Sequence, residues 1–171
     1  MKLTVKEICE ITGGEPFGDL DAIIKGVSTD SRSIGKTQLF IPIKAERNGH
    51  DFISDAMSKG ASGHLFSEGK PQGNAIKVND TLGALQDLAK FARTRIAGDV
   101  IGITGSVGKT TTKDILFSSL RNLTRVHASR LSYNNELGLP LTILSAESST
   151  KHLILEMGAR GPGHIAELVK I

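Results

Sequence analysis

The fold is decided by residues 100–110, which read VIGITGSVGKT in this chain of 171 residues. The run at 100–104 predicts a strand buried on both faces, which is the pattern of a parallel sheet. A glycine-rich turn follows, and it leads into a predicted helix at 109–120. A strand, a turn and a helix in this order predict an α/β fold with a doubly wound, P-loop-type domain in this part of the chain.

The turn at 104–108 has the composition of a phosphate-binding loop. Gly105 and Gly108 let the backbone approach a polyphosphate. Main-chain N–H groups and the N-terminus of a helix then stabilise the negative charge of that polyphosphate. Lys109 is then expected to reach the β- and γ-phosphates, and the Thr110 hydroxyl to bind Mg²⁺. The strict P-loop spacing requires glycine where this chain has Ile103. The alternative is an incidental Lys-Thr pair after an ordinary glycine turn, but the register of strand, loop and helix favours phosphate binding.

A carboxylate is expected close to this loop. The apolar run at 153–155 predicts a buried strand, and Glu156 follows it directly. Ligands of parallel sheets bind at the carboxyl ends of the strands, so Glu156 is a candidate Mg²⁺ ligand beside the phosphates. Taken alone, Glu156 could equally be an ordinary exposed acid at a strand end.

The rest of the chain predicts two parts joined by a helix. We predict a small α/β domain at 1–80, a connecting helix within 81–98 and a parallel-sheet domain at 99–171. A capping box from Thr4 to Glu7 begins the first helix, and Asp51 is expected to cap another. The first domain's strands are predicted at 22–27, 39–43, 63–66 and 75–78, with Pro42 favouring an edge position for the second of these. In the second domain, a strand at 125–127, a helix at 140–144 and a helix from 164 to 171 complete the prediction.

The second part is predicted to be incomplete. It offers three candidate parallel strands, whereas sheets of this kind usually carry about five or six. The final helix reaches Ile171 without a capping glycine. We therefore expect a truncated central domain and an N-terminal fragment of a longer enzyme, inactive by itself.

Composition excludes several other classes. A content of 39% hydrophobic residues supports packed cores, and no apolar run reaches the roughly 20 residues of a membrane helix. The 21 basic and 18 acidic residues are interspersed and aromatic residues are only 4%, which disfavours nucleic acid as a partner. The single cysteine, Cys9, and the absence of a signal-peptide pattern predict a cytoplasmic protein. The sequence has neither zinc-ligand spacing nor a Gly-x-Ser-x-Gly elbow.

Six segments in this order resemble the Mur ligase family: VSTDSR at 27–32, LFI at 39–41, GHDF at 49–52, TGSVGKTT at 104–111, NNELGLPLT at 134–142 and EMGA at 156–159. The resemblance implies a cytoplasmic, ATP-dependent enzyme of peptidoglycan synthesis, with an N-terminal UDP-sugar-binding domain and a central ATP-binding domain. It implies that D-alanyl-D-alanine is joined to UDP-N-acetylmuramoyl-tripeptide through an acyl phosphate, with ATP and Mg²⁺, by a monomer. The family's loop lacks the first glycine of the strict P-loop, which accounts for Ile103.

The resemblance also implies roles for particular residues. Lys109 and Glu156 are implied to be catalytic, with Thr110 and Glu156 as the magnesium ligands. Asn135 is implied to match the family's asparagine on the nucleotide side of the site. Asn134 is the alternative, because the spacing of this motif differs by one residue among family members. The remaining ATP loop is implied to comprise Gly105, Ser106, Val107, Gly108 and Thr111. The UDP-sugar side is implied to comprise Thr29, Asp30, Ser31 and Arg32.

Other functions stay open on the sequence. A sibling ligase that adds the third amino acid shares most of these motifs, although the run at 134–140 favours the D-alanyl-D-alanine-adding activity over that of the sibling. A P-loop kinase or GTPase is disfavoured by the N-terminal domain. A nonenzymatic nucleotide-binding or UDP-sugar-binding module is the third alternative.

Overall fold

In the computed structural model, which describes residues 2–130 and 132–171, the chain divides into two units, Met1–Leu88 and Ala89–Ile171. The division falls inside the longest helix, α3 (Thr81–Thr94), which begins where the connecting helix is predicted. Asp80 caps this helix, because its carboxylate accepts hydrogen bonds from the N–H groups of Leu82 and Gly83, both at 3.0 Å. Each unit contains its own parallel strands, and the predicted α/β class is confirmed.

The first unit is built around a five-stranded sheet. Its described elements are β1 (Leu3–Thr4), α1 (Val5–Thr12), β2 (Glu15–Phe17), β3 (Ile23–Ile24), β4 (Val27–Ser28), β5 (Leu39–Phe40), a 3₁₀ turn (Gly49–Phe52), α2 (Ile53–Ser58), β6 (Gly63–Phe66) and β7 (Ala75–Lys77). The strand order is β2-β7-β6-β5-β4, with β4 to β7 parallel and β2 antiparallel to β7. The carboxyl ends of four parallel strands therefore meet at one edge. Strands β1 and β3 form a separate antiparallel pair.

The first helix begins as predicted, with a capping box. Thr4 accepts a hydrogen bond from the Glu7 N–H at 3.1 Å, and the Glu7 carboxylate accepts one from the Thr4 N–H at 2.7 Å. This reciprocal pair satisfies two amides that the helix itself leaves without partners. At the other end, Gly13 takes a left-handed conformation with φ +63°, which glycine adopts without strain.

One buried cluster of the first unit brings residues of its sheet together with residues of α2. Phe40 and Phe66 pack with Ile53, Ala56 and Ala75 in one buried cluster. All four residues of β6 are buried, as expected for an internal parallel strand.

Two histidines of this unit are held by hydrogen bonds that fix their tautomers. The Nε2 atom of His64 accepts from the Gln72 N–H at 3.1 Å, so its Nδ1 carries the proton and donates to the Leu65 carbonyl. The Nε2 atom of His50 accepts from the Ser67 N–H at 3.0 Å. Burial lowers the pKa of both imidazoles, because desolvation disfavours the charged form.

Three local predictions in this unit are wrong. The predicted cap at Asp51 belongs to Asn48, whose Oδ1 accepts from the His50 N–H at the start of the 3₁₀ turn. The predicted strand at 22–27 is broken, because Gly26 has φ +86° and sends β3 and β4 to different partners. Pro42 does not lead to an edge strand, since it follows β5 and leaves the ladder of that internal strand intact.

The second unit contains a three-stranded parallel sheet. Its described elements after α3 are β8 (Asp99–Ile103), α4 (Lys109–Leu120), β9 (Val126–Ala128), α5 (Gly138–Ser145), β10 (His152–Glu156) and α6 (His164–Leu168). The order is β8-β10-β9, so β10 is central and residues 153–156 are all buried. In the register, Glu156 lies opposite Ile103, the last residue of β8. The end of β10 therefore lies next to the start of the glycine turn.

Element boundaries in the second unit differ by small amounts from the prediction. Helix α5 starts at Gly138 rather than at 140, because Asn135 Oδ1 accepts from the N–H groups of Leu137 and Gly138. Helix α6 ends at Leu168, short of the predicted 171. In the part of the chain that the structure describes, no helix combines the length and apolar character that a membrane span requires.

Candidate nucleotide-binding site

The loop between β8 and α4 depends on glycine for its backbone conformation. Gly105 has φ +150° and Gly108 has φ +78°, values that other L-residues rarely adopt. A Cβ atom at Gly108 would meet no atom within 4 Å, so conformation rather than space requires glycine there. The loop at 104–108 is exposed throughout. Its main chain is therefore accessible to a ligand.

Helix α4 begins at this loop without a capping side chain. Its N-cap residue is Gly108, and among residues 2–130 and 132–171 no side chain accepts a capping hydrogen bond there. The first N–H groups of a helix have no partner within the helix, and they carry its partial positive charge. This end of α4 is therefore suited to a bound anion such as a phosphate group.

Lys109 is the first residue of α4, and its side chain folds back over the loop. The ammonium Nζ donates a hydrogen bond to the Gly105 carbonyl at 2.6 Å. An ammonium has three N–H donors, so two of them are left for phosphate oxygens. The cation therefore lies beside the main chain that would hold the phosphates.

Thr110, Glu156 and Asn134 form one hydrogen-bonded cluster. The Thr110 hydroxyl donates to Glu156 Oε2 at 2.9 Å, and the Asn134 amide donates to Glu156 Oε1 at 3.0 Å. Glu156 is buried, with 5% of its surface exposed. A buried carboxylate needs such partners, because it has lost its hydration. The structure thus brings three of the predicted site residues together from α4, β10 and the segment before α5.

The donor set of this cluster fits Mg²⁺. A carboxylate and a hydroxyl are hard oxygen ligands, and Mg²⁺ usually takes one or two carboxylates together with phosphate oxygens and water. Within the described residues there is no group of three or more His, Cys, Asp or Glu side chains that could hold a metal. Thr110 and Glu156 therefore stay candidate ligands, because a hydroxyl and a carboxylate are the kinds of group that Mg²⁺ accepts.

The two neighbouring asparagines have different environments. Asn134 contacts Glu156, whereas the Oδ1 atom of Asn135 caps the start of α5. The Gly158 N–H donates to the Asn134 carbonyl at 2.8 Å, and a Cβ atom at 158 would lie 3.2 Å from Asn134 Cγ. The close approach of Gly158 holds Asn134 beside the end of β10.

Sequence reasoning missed two buried residues next to this cluster, Lys113 and Ser129. The Ser129 hydroxyl accepts a hydrogen bond from the Glu156 N–H at 3.1 Å. The Lys113 ammonium donates to the Ser129 carbonyl at 2.9 Å. The available signal was position alone, since Lys113 follows Lys109 by four residues and must lie on the same face of α4.

The candidate UDP-sugar residues lie in the first unit, at the turn after β4. Arg32 donates two side-chain hydrogen bonds to the Asp30 carboxylate, at 2.8 and 2.9 Å, and its side chain is 85% exposed. This guanidinium lowers the pKa of Asp30 to about 2. The Ser31 hydroxyl is buried and bonded to Asp55, and Thr29 is half-buried.

This turn leaves the edge of the sheet where α/β proteins bind ligands. It lies in the first unit, whereas the loop, Thr110 and Glu156 lie in the second. The ligand assignments of all these residues stay predictions.

Comparison with known proteins relates the whole chain to one group of enzymes. Residues 103–171 match the Mur ligase middle domain. The UDP-N-acetylmuramoyl-tripeptide--D-alanyl-D-alanine ligase of Bacillus subtilis is 41% identical over the full chain, which covers 39% of that enzyme. The homologous ligase of Rickettsia prowazekii is 40% identical over 85% of the chain and 33% of its own length.

Solved structures agree with this relationship. MurF from Acinetobacter baumannii matches with a TM-score of 0.89 and 29% identity, over 96% of this chain and 38% of that one. MurF from Thermotoga maritima, solved in complex with ADP, matches with a TM-score of 0.77 and 35% identity, over 85% of this chain and 35% of that one. The chain spans about two fifths of the length of the curated relatives it matches, 39% for the Bacillus subtilis ligase. By its middle-domain match and by the agreement of sequence and structure along its length, the chain belongs to the Mur ligase family.

Proposed function

We propose that the protein acts as an ATP-dependent ligase that joins D-alanyl-D-alanine to UDP-N-acetylmuramoyl-tripeptide. The observation that carries the proposal is the cluster of Thr110, Glu156 and Asn134 beside the loop of Gly105 to Lys109. The names of the relatives support the choice of substrates, since those enzymes are D-alanyl-D-alanine ligases. The structure with ADP supports ATP as the nucleotide.

In the proposed site, the loop at 105–108 and the first turn of α4 hold the phosphates through main-chain N–H groups. Thr111 and the loop residues Ser106 and Val107 belong to this ATP-binding stretch. Lys109 donates to the β- and γ-phosphate oxygens and stabilises the negative charge that develops during phosphoryl transfer. Thr110 and Glu156 hold Mg²⁺, which when bound neutralises phosphate charge and orients the γ-phosphate for transfer.

Asn134 and Asn135 contribute differently to the proposed site. Asn134 orients the Glu156 carboxylate by donating to its Oε1 atom. Asn135 supports the site from outside, because its side chain fixes the start of α5. The geometry thus favours Asn134 over Asn135 as the asparagine on the nucleotide side.

The proposed reaction has two steps. A carboxylate oxygen of the tripeptide attacks the γ-phosphorus, the bond to the β-phosphate oxygen breaks, and ADP leaves with the acyl phosphate formed. The amine of D-alanyl-D-alanine then attacks the acyl carbon, the carbon–oxygen bond breaks, and phosphate leaves as the amine loses a proton. Activation is needed because a free carboxylate is a poor electrophile.

The turn at 29–32 is proposed to bind the UDP-sugar. Thr29 and Ser31 offer hydroxyl groups, and the exposed Arg32 offers a guanidinium whose remaining N–H donors suit a diphosphate. Asp30 fixes the orientation of that guanidinium. We also propose a cytoplasmic location, since ATP is a substrate and Cys9 is the single cysteine, and a monomeric state, as the family resemblance implies.

The proposal is tested by incubating the full-length gene product with ATP, MgCl₂, UDP-N-acetylmuramoyl-tripeptide and D-alanyl-D-alanine. We expect ADP, phosphate and the UDP-linked pentapeptide in equal amounts by mass spectrometry and phosphate release. A parallel reaction supplies UDP-N-acetylmuramoyl-dipeptide with diaminopimelate or lysine. Product only in that reaction would replace the proposal by the sibling activity, and ATP binding without product in either would favour a binding module.

A further inference from the structure

Lys113 is a buried cation that the proposed reaction does not use. Its side chain is 5% exposed, although a lysine is almost never fully buried without a partner. Its ammonium donates to the Ser129 carbonyl at 2.9 Å and lies 3.1 Å from Asp114 Oδ1. The Asp114 side chain is 62% exposed, so that ion pair is screened by water and contributes little. The bond to Ser129 is therefore the contact that accounts for the burial.

Ser129 connects this cation to the end of the central strand. It follows β9 directly, and its N–H donates to the Ile154 carbonyl at 3.0 Å. Its hydroxyl accepts from the Glu156 N–H at 3.1 Å. Ser129 is 3% exposed, so water cannot easily replace either bond. The main chain of Glu156 is thus held by a residue that Lys113 holds in turn.

Lys113 lies one helical turn after the residues of the proposed nucleotide site. Thr110 precedes it by three positions and Lys109 by four, so all three share the face of α4 that packs on the sheet. Glu156 carries the Ser129 bond on its N–H and the Thr110 bond on its carboxylate. Helix α4 is therefore linked to the end of β10 in two ways, directly by the hydrogen bond from Thr110 to the Glu156 carboxylate and indirectly from Lys113 through Ser129 to the Glu156 N–H.

We propose that Lys113 is a positioning residue which, through Ser129, sets the separation of the Thr110 hydroxyl and the Glu156 carboxylate and so tunes the site for a divalent cation bound with a nucleotide. The inference rests on the proposed nucleotide-binding function. Lys113 itself contacts neither phosphate nor cation. Removal of partners that orient metal ligands typically costs about 10–100-fold in metal affinity.

The test compares Lys113→Met, Lys113→Arg, Ser129→Ala and Asp114→Asn in the full-length gene product. Calorimetric titration with ATP, in EDTA and over a series of MgCl₂ concentrations, gives the nucleotide affinity and its half-saturating Mg²⁺ concentration. We expect Lys113→Met and Ser129→Ala to raise that Mg²⁺ concentration about 10–100-fold. Affinity in EDTA should stay within about threefold, because the loop and Lys109 are unchanged. Lys113→Arg, which keeps a donor, should restore most of the Mg²⁺ response, and Asp114→Asn should match the wild type.

Circular dichroism establishes that each variant is folded at the titration temperature. An unchanged Mg²⁺ response in folded Lys113→Met would overturn the inference and leave Lys113 a stabilising residue alone. Should Lys113→Met not fold, an unchanged response in Ser129→Ala overturns it equally. Wild-type protein that binds no ATP, or binds it without any effect of Mg²⁺, would refute the proposed function, a result distinct from failure of the variants.

Discussion

Replacement of Lys109 by methionine removes one charge from the proposed phosphate site and little else. Methionine keeps the unbranched apolar stem of lysine and most of its length, and the one hydrogen bond lost within the protein is that to the Gly105 carbonyl. Two of the three ammonium donors are left for phosphate. Hydrogen bonds to charged groups contribute about 1.5–3 kcal/mol each, so the two amount to about 3–6 kcal/mol in the transition state. At about 1.36 kcal/mol per factor of ten, kcat/KM for ATP should fall about 10²–10⁴-fold.

The assay follows phosphate release and UDP-pentapeptide formation by the full-length gene product at several ATP concentrations. Lys151→Met is the matched control, because it removes the same charge from an exposed site of the second unit. Unfolding in urea should show that Lys109→Met costs less than about 1.5 kcal/mol, the upper range for one ordinary hydrogen bond. A folded Lys109→Met protein whose kcat/KM stays within threefold of the Lys151→Met value would refute the assignment of the loop to phosphate binding.

Three further predictions follow from described contacts. Glu156→Gln keeps a hydrogen-bonding partner for Thr110 and for Asn134 but removes the carboxylate. Loss of a residue that only orients a metal ligand already lowers metal affinity about tenfold or more, so calorimetry with ATP and MgCl₂ should show at least a roughly tenfold weaker Mg²⁺ response. An unchanged response would exclude Glu156 as a ligand. Burial lowers the pKa of His64 in the folded state below its ordinary value of 6.5. In acid the unfolded state therefore binds more protons than the folded state, and the free energy of unfolding should decrease as pH falls from about 7 to 5. His64→Gln should flatten that dependence in urea titrations, and equal slopes would contradict the assignment to this imidazole. Thr4→Ala should lower the free energy of unfolding by about 1 kcal/mol and Thr4→Ser by much less, since serine can still accept from the Glu7 N–H; equal losses in the two variants would show that the cap contributes nothing.

The sequence predicts elements best where local chemistry specifies them. The helix at 109–120 and the strand at 63–66 agree with the structure to the residue, because glycine turns and polar residues bound them, and the apolar run at 153–155 lies inside β10. The short strands β1 and β2 were missed. Each has two or three residues, and its strand character comes from a partner distant in sequence rather than from its own pattern.

The residues of the candidate site that lie in local motifs were predicted, and those that depend on long-range packing were not. Thr110 and Glu156 follow from motifs at strand and helix ends, and the structure places them 2.9 Å apart. The choice between Asn134 and Asn135 depends on how the chain enters α5, which spacing alone does not determine. The position of Lys113 on the face of Lys109 could be read from the sequence, but its burial and its contact with Ser129 could not, because that contact spans 16 positions. Long-range packing of this kind leaves no local signature in a sequence.

The start of α4 has a thermodynamic consequence for the protein. A glycine at the N-cap stabilises a helix less than a capping side chain does, by roughly a few tenths of a kcal/mol, and α4 begins at a glycine that supplies no side-chain cap. A residue suited to capping would be strained at Gly108, whose φ is +78°. A bound phosphate would therefore complete the first turn of α4 as an ordinary cap does elsewhere. Ligand binding and the local order of that turn should rise and fall together, so amide hydrogen exchange at 109–112 would report occupancy of the site directly.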